Sequence, residues 1–355
     1  MLFKHLFIIL ICLNSVFAKP VKIENFRKGI KTHQDWIDRL LETYDPRIVK
    51  LLTYRGGIIF DHENCRKIAF NLKNFPHKQN EILYKYHMIW NHETFLNKKK
   101  VDWENKFGKN AYSFESKYYL CLGTQDHKVF LKKLAHYQDK VFKLYAKKFA
   151  TKEKIEGKFI IKLYPDKRHY VQSGYPDRSL AIFKPSEKSL IGYIPDYTKT
   201  GKNVMSEKVI KTFFHEGFHQ YLGYYVPDIP IWLNEGFAEL FACMEIKNNR
   251  IIERKMIDKG HVKLLKYYMS KLTPLKIMMF MDHETFMDNA QMHYPQSWAL
   301  VHFLAFGNKS YRKYYLNLLK YLKNGHTRIE ALEKSFVNVN YEKLEKAYKA
   351  YIKKL

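Results

Sequence analysis

The segment that most constrains the fold is TFFHEGFHQYLGYYVPDIPIWLNEGFAELFA, at residues 212–242. It holds two histidines four residues apart, His215 and His219, and a glutamate, Glu235, sixteen residues after the second histidine. Because residues four apart project from the same face of a helix, both imidazoles can reach one ion. Apolar residues recur at helical spacing around them, at positions 209, 210, 213, 214, 218, 221 and 222. The pattern predicts a buried amphipathic helix that carries a polar site, followed by a second helix.

The residue types in this segment suit a catalytic zinc site. Zinc binds imidazole nitrogen and carboxylate oxygen, and its catalytic sites use three protein ligands and leave a fourth position for water. We expect His215, His219 and Glu235 to bind one Zn²⁺ per chain. Glu216, which follows the first ligand, is expected to act as the general base on that water. Glu239 lies one helical turn after Glu235 and is expected to accept the free ring N–H of a ligand histidine.

The N-terminus has the layout of a cleavable secretory signal. Residues 1–18 begin with a basic residue, Lys4, continue with an apolar run from Leu6 to Leu13, and end in Val16-Phe17-Ala18. The apolar run is shorter than the roughly 20 residues that span a bilayer, and no later stretch is long and apolar enough to do so. We therefore expect cleavage after Ala18 and a secreted or periplasmic, extracytoplasmic protein without a transmembrane segment.

The chain is strongly basic, with 62 Lys and Arg against 35 Asp and Glu and a formal net charge of +27. Such a charge suits an anionic partner such as nucleic acid, cell-wall polymer or lipid headgroups. The lysines are scattered, however, and only Lys98, Lys99 and Lys100 form a compact run. We expect any polyanion binding to be weak and to fall steeply with salt concentration.

Three cysteines follow the expected signal, namely Cys65, Cys121 and Cys243. An odd number in an oxidising compartment leaves at least one free thiol. Cys243 lies in the apolar run LFACME and is expected to be buried. The pairing of Cys65 with Cys121 is left open.

The order of the predicted elements indicates an α+β fold. Strands are predicted at residues 117–123, 158–164, 179–185 and 189–195. The last two form a hairpin or a pair of neighbouring strands. A helix is predicted at residues 128–149, and helical spacing runs from about Ser206 to the C-terminus. Strands followed by helices within one unit favour α+β over alternating α/β.

HEGFHQYL followed by PIWLNEGFAEL resembles the gluzincin clan of zinc metallopeptidases, whose signature is HExxH on one helix and a glutamate, often within NEGFA, on the next. The short spacing and the downstream YPQSWALVHFL resemble the bacterial peptidase-MA-like proteins known as the DUF1570 family. The resemblance covers roughly residues 116–322. It implies a zincin-like metallopeptidase domain over residues 116–355, with a small mixed sheet followed by a mainly helical half. Residues 19–115 form a preceding, uncharacterised N-terminal region.

The resemblance also assigns Tyr294, which opens YPQSWALVHFL. In the aminopeptidase branch of the clan, a tyrosine that opens a YxKG motif at the start of a helix donates its hydroxyl to the oxyanion of the tetrahedral intermediate. Pro295 suits a first helical position, so Tyr294 is expected at a helix start in the same role. His293 is an alternate donor, and an ordinary aromatic role for Tyr294 stays open.

SLIGYIPD, at residues 189–196, stands just before the metal helix, where zincins place the edge strand that pairs with an extended peptide substrate. Gly192 would allow close backbone approach of that peptide, and Tyr193 would line a subsite. A plain surface hairpin is the alternative. The exopeptidase motif Gly-x-Met-Glu-Asn of the aminopeptidases does not occur in the chain.

Together these features predict a secreted zinc-dependent metallopeptidase that hydrolyses peptide bonds in a peptide or protein substrate, with a zinc-activated water and Glu216 as general base. The alternative is a basic exported protein that binds anionic polymers and keeps a structural or inactive zinc site. A third hypothesis has the N-terminal region cover the cleft, with Cys65 as a fourth ligand. In the simplest alternative the two histidines are ordinary helix residues, and Glu235 is an acid favoured by the helix macrodipole at a helix start.

Overall fold

The conformation of the chain comes from a computed structural model, which describes residues 58–61, 66–69, 93–149, 158–184, 187–195, 207–226, 228–248, 250–253, 256–307, 309–324 and 326–355. The expected signal at residues 1–18 and Cys65 lie outside the described residues. Within them the fold is a mixed α+β arrangement, as the order of elements predicts.

A five-stranded sheet forms the first half of this arrangement. Its strands are β3 (Ala111–Glu115), β4 (Tyr119–Thr124), β5 (Phe159–Tyr164), β6 (Ala181–Lys184) and β7 (Ser189–Tyr193). They lie in the order β3-β4-β5-β7-β6. The pairs β4–β5 and β5–β7 are parallel, whereas β3 and β6 add an antiparallel strand at each edge. A separate two-stranded sheet pairs β1 (Ile58–Asp61) with β2 (Arg66–Ala69).

The central strands are buried on both faces. Tyr119 and Cys121 of β4 join the core that includes α2 (Lys128–Phe149), while Leu120 and Leu122 face the opposite cluster. That second cluster contains residues of α1 (Glu93–Phe107) and α3 (Lys167–Gln172). Because alternate side chains of a strand point to opposite faces, a strand covered on both sides shows a continuous apolar run. This is why KYYLCLG and KFIIKLY are recognisable in the sequence.

The sheet begins earlier than the predicted domain boundary at residue 116. β3 pairs with β4 along its whole length, with Ala111 opposite Thr124 and Glu115 opposite Leu120. Trp103 of α1 donates its Nε1–H to Gly123 O at 2.7 Å. The boundary between residues 115 and 116 therefore cuts through one structural unit. The mixed polar and aromatic sequence of this stretch has no clear period, because β3 is an edge strand with partly exposed side chains.

The second half of the fold is mainly helical. Its helices are α4 (Glu207–Tyr225), α5 (Ile231–Ala242), α6 (Lys259–Tyr267), α7 (Leu275–Phe280), α8 (His283–Asp288), α9 (Ala290–His302), α10 (Lys309–Lys323), α11 (Arg328–Ser335) and α12 (Tyr341–Lys354). The prediction of unbroken helical structure after Ser206 is wrong at one place. A hairpin of β8 (Glu245–Lys247) and β9 (Arg250–Ile252) follows α5. Asn248 in its turn has a positive φ of 50°, a conformation that asparagine tolerates better than most residues.

Two glycines let the helices approach closely around α5 and the sheet. A Cβ added at Gly236 of α5 would overlap the backbone oxygen of Ser297 in α9. A Cβ at Gly192 of β7 would lie 2.6 Å from Phe213 Cζ of α4. The sheet, α4, α5 and α9 thus form one packed body.

The described cysteines, Cys121 and Cys243, are both free thiols. Cys121 is buried and Cys243 is partly buried, and burial raises the pKa of each thiol, which disfavours the reactive thiolate form. Among the described helices, none combines the length and the apolar character that crossing a bilayer requires.

Candidate metal centre

Helix α4, which carries both histidines, is anchored to α2 just before His215. Gln138 Nε2 donates to Phe213 O at 2.7 Å, and Tyr145 OH donates to Phe214 O at 2.6 Å. Phe213 and Phe214 are fully buried against the sheet and α2. Because Phe213 and Phe214 occupy the core-facing side of α4, the imidazoles of His215 and His219 project from an adjacent side of the helix. Their ring centroids lie 4.8 Å apart.

Glu235 is the fifth residue of α5, in the second turn of that helix, and it approaches these histidines from there. Pro230 precedes the helix as its N-cap residue, and its carbonyl accepts from Leu233 N at 3.0 Å. The Glu235 Oε2 atom lies 3.5 Å from His215 Nε2 and 3.3 Å from His219 Nε2. One ligand atom from each of these three residues lies within 4.8 Å of the other two, as a common ion requires.

The other ring nitrogen of each histidine already has a partner on α5. His215 Nδ1 lies 3.3 Å from Glu239 Oε1, and His219 Nδ1 lies 2.8 Å from Asn234 Oδ1. A protonated Nδ1 that donates to these oxygens leaves the Nε2 lone pair directed at Glu235. The sequence analysis predicted the position of Glu239 but missed Asn234, whose signal is its place directly before the candidate ligand Glu235 in NEGFA.

The donor set fits a zinc ion. Two imidazole nitrogens and one carboxylate oxygen match the three-ligand catalytic type. The side chains of His215, His219 and Glu235 are each between 10% and 14% exposed. Glu235 Oε2 is buried and has no hydrogen-bond partner within the described part of the chain, which is costly for a carboxylate unless a cation compensates.

Without a cation the three residues form a charged cluster. Burial acts to lower the pKa of His215, but its contacts with Glu235 and Glu239 outweigh burial and raise that pKa to about 10. Burial acts to raise the pKa of Glu235, but the charge of His219 and contacts with both histidines hold it well below its usual range. A carboxylate that stays ionised is the form that binds a metal.

Glu216 projects from α4 toward the edge of the sheet. Its Oε2 accepts from Phe183 N of β6 at 2.8 Å. Tyr193 N donates to Leu180 O, so these two opposite residues form a hydrogen-bonded pair of the antiparallel ladder. Hydrogen-bonded and non-hydrogen-bonded pairs alternate along such a ladder, so Phe183 and its partner Leu190, three positions further, form a non-hydrogen-bonded pair. The backbone N–H of Phe183 therefore points away from β7. The edge strand β6 therefore holds the Glu216 carboxylate in place through the backbone N–H of Phe183.

Tyr294 of α9 completes the walls of the pocket beside His215, with ring centroids 6.3 Å apart. The pocket has a volume of about 640 Å³. Its lining residues are Lys208, Lys211, Thr212, His215, Glu216, Glu239, Ala242 and Tyr294. Burial and the charges of Glu235, Glu216 and Glu239 raise the pKa of Tyr294 well above its usual value. Its hydroxyl is thus protonated at neutral pH and able to donate.

Tyr294 is not at the start of its helix. Helix α9 begins at Ala290, after Asn289, and Pro295 lies inside it. Proline is favoured at the first helical position but occurs elsewhere where one lost hydrogen bond is tolerated. The predicted helix start is therefore wrong, although Tyr294 does line the pocket.

His293 lies beside Tyr294 in the sequence but is directed elsewhere. It is 4% exposed, and its Nδ1 contacts Phe286 O at 2.7 Å and its Nε2 contacts Thr273 Oγ1 at 3.0 Å. With both ring nitrogens engaged in the core, His293 is unsuited to the alternate donor role predicted for it.

The predicted substrate strand is also corrected. Strand β7, at Ser189–Tyr193, lies between β5 and β6 and is therefore not an edge strand, and the strand at this edge of the sheet is β6. Gly192 admits Phe213 of α4 rather than a peptide backbone. Tyr193 packs with the cluster of Tyr170, on the opposite face of the sheet from α4, with ring centroids 5.2 Å apart. Neither residue contributes to the pocket.

These features define a mixed α+β protein with a candidate metal centre of two histidines and a glutamate between neighbouring helices. Residues 209–328 match the family model described as a protein of unknown function (DUF1570). This segment runs from α4 into α11 and contains every residue of the candidate centre, and it confirms the predicted DUF1570 resemblance there. A search of curated proteins found no match.

Proposed function

We propose that the protein is a zinc-dependent peptidase of the gluzincin type that hydrolyses peptide bonds outside the cytoplasm. The proposal depends above all on the convergence of one ligand atom each from His215, His219 and Glu235. His215 also lines a pocket together with Glu216 and Tyr294. A zinc ion bound by the three ligands would supply the Lewis acid that activates water and polarises a carbonyl group. The location outside the cytoplasm depends on the signal pattern of residues 1–18.

The chain's own residues have defined parts in this reaction. As water attacks the carbonyl carbon, the Glu216 carboxylate accepts its proton and then delivers that proton to the amine as the C–N bond breaks. Tyr294 donates its hydroxyl to the oxygen on which negative charge develops. A purely structural metal site would need neither residue at its border.

The edge strand β6 is the proposed position of the substrate backbone. An extended peptide can add to an open sheet edge through main-chain hydrogen bonds. Of the outward-facing groups of β6, Phe183 N is held by Glu216 and Ala181 O accepts from Ser179 Oγ at 2.5 Å. A peptide along β6 would therefore use Ala181 N and Phe183 O, on either side of the Glu216 contact.

The test compares full-length parent protein with Glu216→Gln, which keeps the size of the side chain but cannot accept a proton. Elemental analysis should find about one zinc ion per chain in both proteins, while hydrolysis of a mixed peptide library falls by at least about 10²-fold in the variant. Glu284→Gln, at an exposed glutamate of α8, is the matched control and should retain full activity. Full activity in Glu216→Gln would rule out the proposed base, and full zinc content in a His215→Ala/His219→Ala variant would rule out the proposed ligands.

A second candidate function is the binding of anionic polymers. Lys208 and Lys211 line the pocket, and the formal net charge of the chain is +27. If the charge alone acts, binding to heparin or DNA falls steeply with salt and is unchanged by a chelator. Binding that is lost with a chelator at constant salt would instead connect the polyanion to the metal centre and favour this second function.

A further inference from the structure

The two carboxylate oxygens of Glu239 face two different histidines. Oε1 lies 3.3 Å from Nδ1 of the ligand His215, and Oε2 lies 3.7 Å from Nε2 of His261 on α6. The second distance is within the range of an ion pair and longer than a hydrogen bond. Glu239 therefore contacts both the proposed metal centre, through His215, and helix α6, which contributes none of the three proposed ligands.

The position of His261 is fixed by contacts of its backbone and of its ring. It is the third residue of α6, and its backbone N–H donates to Oδ1 of the N-cap residue Asp258 at 2.8 Å. Its ring lies 5.6 Å from the ring of Trp298, a fully buried residue of α9 whose Nε1–H donates to Met256 O. The cap and the indole fix where the imidazole can lie.

The polar surroundings of His261 point to Glu239. Its Nδ1 is buried and has no hydrogen-bond partner among the described residues. Its side chain is 21% exposed, the same fraction as that of Glu239. Among the described residues, the one carboxylate within ion-pair distance of the His261 ring is thus Glu239, which also contacts His215.

We propose that His261 is a positioning residue that holds Glu239 in the orientation needed to orient His215 for metal binding. A carboxylate held at one oxygen can still turn about its last bond, whereas contacts at both oxygens restrict that rotation. His261 would thus act on the metal only through Glu239. The proposal rests on the proposed metal centre, so zinc affinity is its primary readout.

The test measures the zinc dissociation constant of the full-length protein by competition with a chelator at fixed pH. Partners that orient a ligand typically change metal affinity by about 10–100-fold, so we expect a smaller loss, of about 3–10-fold, in His261→Leu, which acts one contact further away. His261→Gln keeps an N–H donor of similar reach and should stay within about 2-fold of the parent. The matched control is His169→Leu. His169 lies on α3, and its Nδ1 is 2.8 Å from Asp166 Oδ2, so its removal should leave zinc affinity unchanged.

A double-mutant cycle separates positioning from a general structural role. If His261 acts through Glu239, His261→Leu should weaken zinc binding in the parent but have no further effect in a Glu239→Ala background. An equal loss in both backgrounds would overturn the proposal, as would unchanged zinc affinity in His261→Leu. If His261→Leu does not fold, His261→Asn takes its place, since its amide is too short to reach Glu239, and the same loss is expected.

The metal centre and the role of His261 can be refuted separately. A parent protein that binds no zinc would refute the metal centre, and with it the role of His261. A parent that binds zinc with unchanged affinity in the His261 variants would refute only the role of His261. Peptide hydrolysis is not needed for either decision.

Discussion

Substituting Gly236 by alanine should destabilise the protein, although the same change in an ordinary helix is stabilising. Alanine is favoured over glycine inside a helix by about 1 kcal/mol. At Gly236, however, the new Cβ would overlap Ser297 O and lie 2.6 Å from Val301 Cγ2 and 2.8 Å from Ser297 C. Carbon atoms in good contact are about 3.5–4.0 Å apart, so α5 and α9 must separate by about 1 Å.

The net effect follows from these two opposing terms. Overpacking a core costs about 1–3 kcal/mol, and the upper end applies because the obstacle is backbone that cannot rotate away. Subtracting the helix preference of about 1 kcal/mol leaves a loss of about 2 kcal/mol. For a domain of this size that loss corresponds to a melting temperature lower by about 4–8 °C. Since Gly236 directly follows Glu235, zinc affinity should fall as well.

The assay is urea unfolding with excess chelator, which removes the stabilisation that bound zinc would add to the folded state. Gly223→Ala on α4 is the control, because its new Cβ would meet only the ring edge of Phe183, with Cε1 at 3.2 Å and Cζ at 3.6 Å. That ring can move, so the control should be neutral or slightly stabilised. A Gly236→Ala protein as stable as the parent would refute the claim that this glycine sets the distance between α5 and α9.

Three further predictions concern the pocket and the sheet beneath it. Tyr294→Phe removes one hydroxyl from the pocket and should lower kcat with little change in KM, because the oxyanion exists only near the transition state; an unchanged kcat would exclude it as the donor. Asn234→Ala removes the acceptor 2.8 Å from His219 Nδ1 and should weaken zinc binding by about 10–100-fold, as measured by chelator competition. Burial acts to raise the pKa of Glu187, but Lys162 and Lys184 outweigh burial and lower that pKa from 4.5 to about 2. The ionised carboxylate therefore stabilises the fold above pH 4.5, and this stabilisation is lost as the pH falls toward 2. Unfolding of Glu187→Gln, followed by circular dichroism, should therefore depend less on pH than that of the parent between pH 4.5 and 2.

Parts of the fold and of the candidate metal centre could be predicted from the sequence because they depend on residues that are close together along the chain. His215 and His219 share a helix face in any helix, since their spacing alone decides it. The apolar period of residues 128–149 predicted α2 with the bounds that the structure has. Glu235 could be placed opposite the histidines because only a short connection, containing Pro230, separates the two helices.

The order of the strands depended on tertiary structure. Strands β6 and β7 read equally well as strands, and only the insertion of β7 beside β5 makes β6 the edge. The sequence of β7 is apolar because the strand is covered on both faces. The prediction of a substrate-binding edge strand did not take this burial into account. Strand order reflects contacts between segments far apart in the chain, and these leave no period in the local sequence.

Side-chain direction was decided in the same way. Tyr294 and His293 are adjacent in sequence, yet packing of α9 turns the tyrosine to the pocket and the histidine into the core. His261 lies 46 positions after His215, on a helix whose place beside Glu239 depends on the packing of Trp298. The sequence by itself determined which residues could bind a metal, because that follows from residue type and helical spacing. Which residues surround that candidate metal centre was decided by the packing of helices and strands from distant parts of the chain.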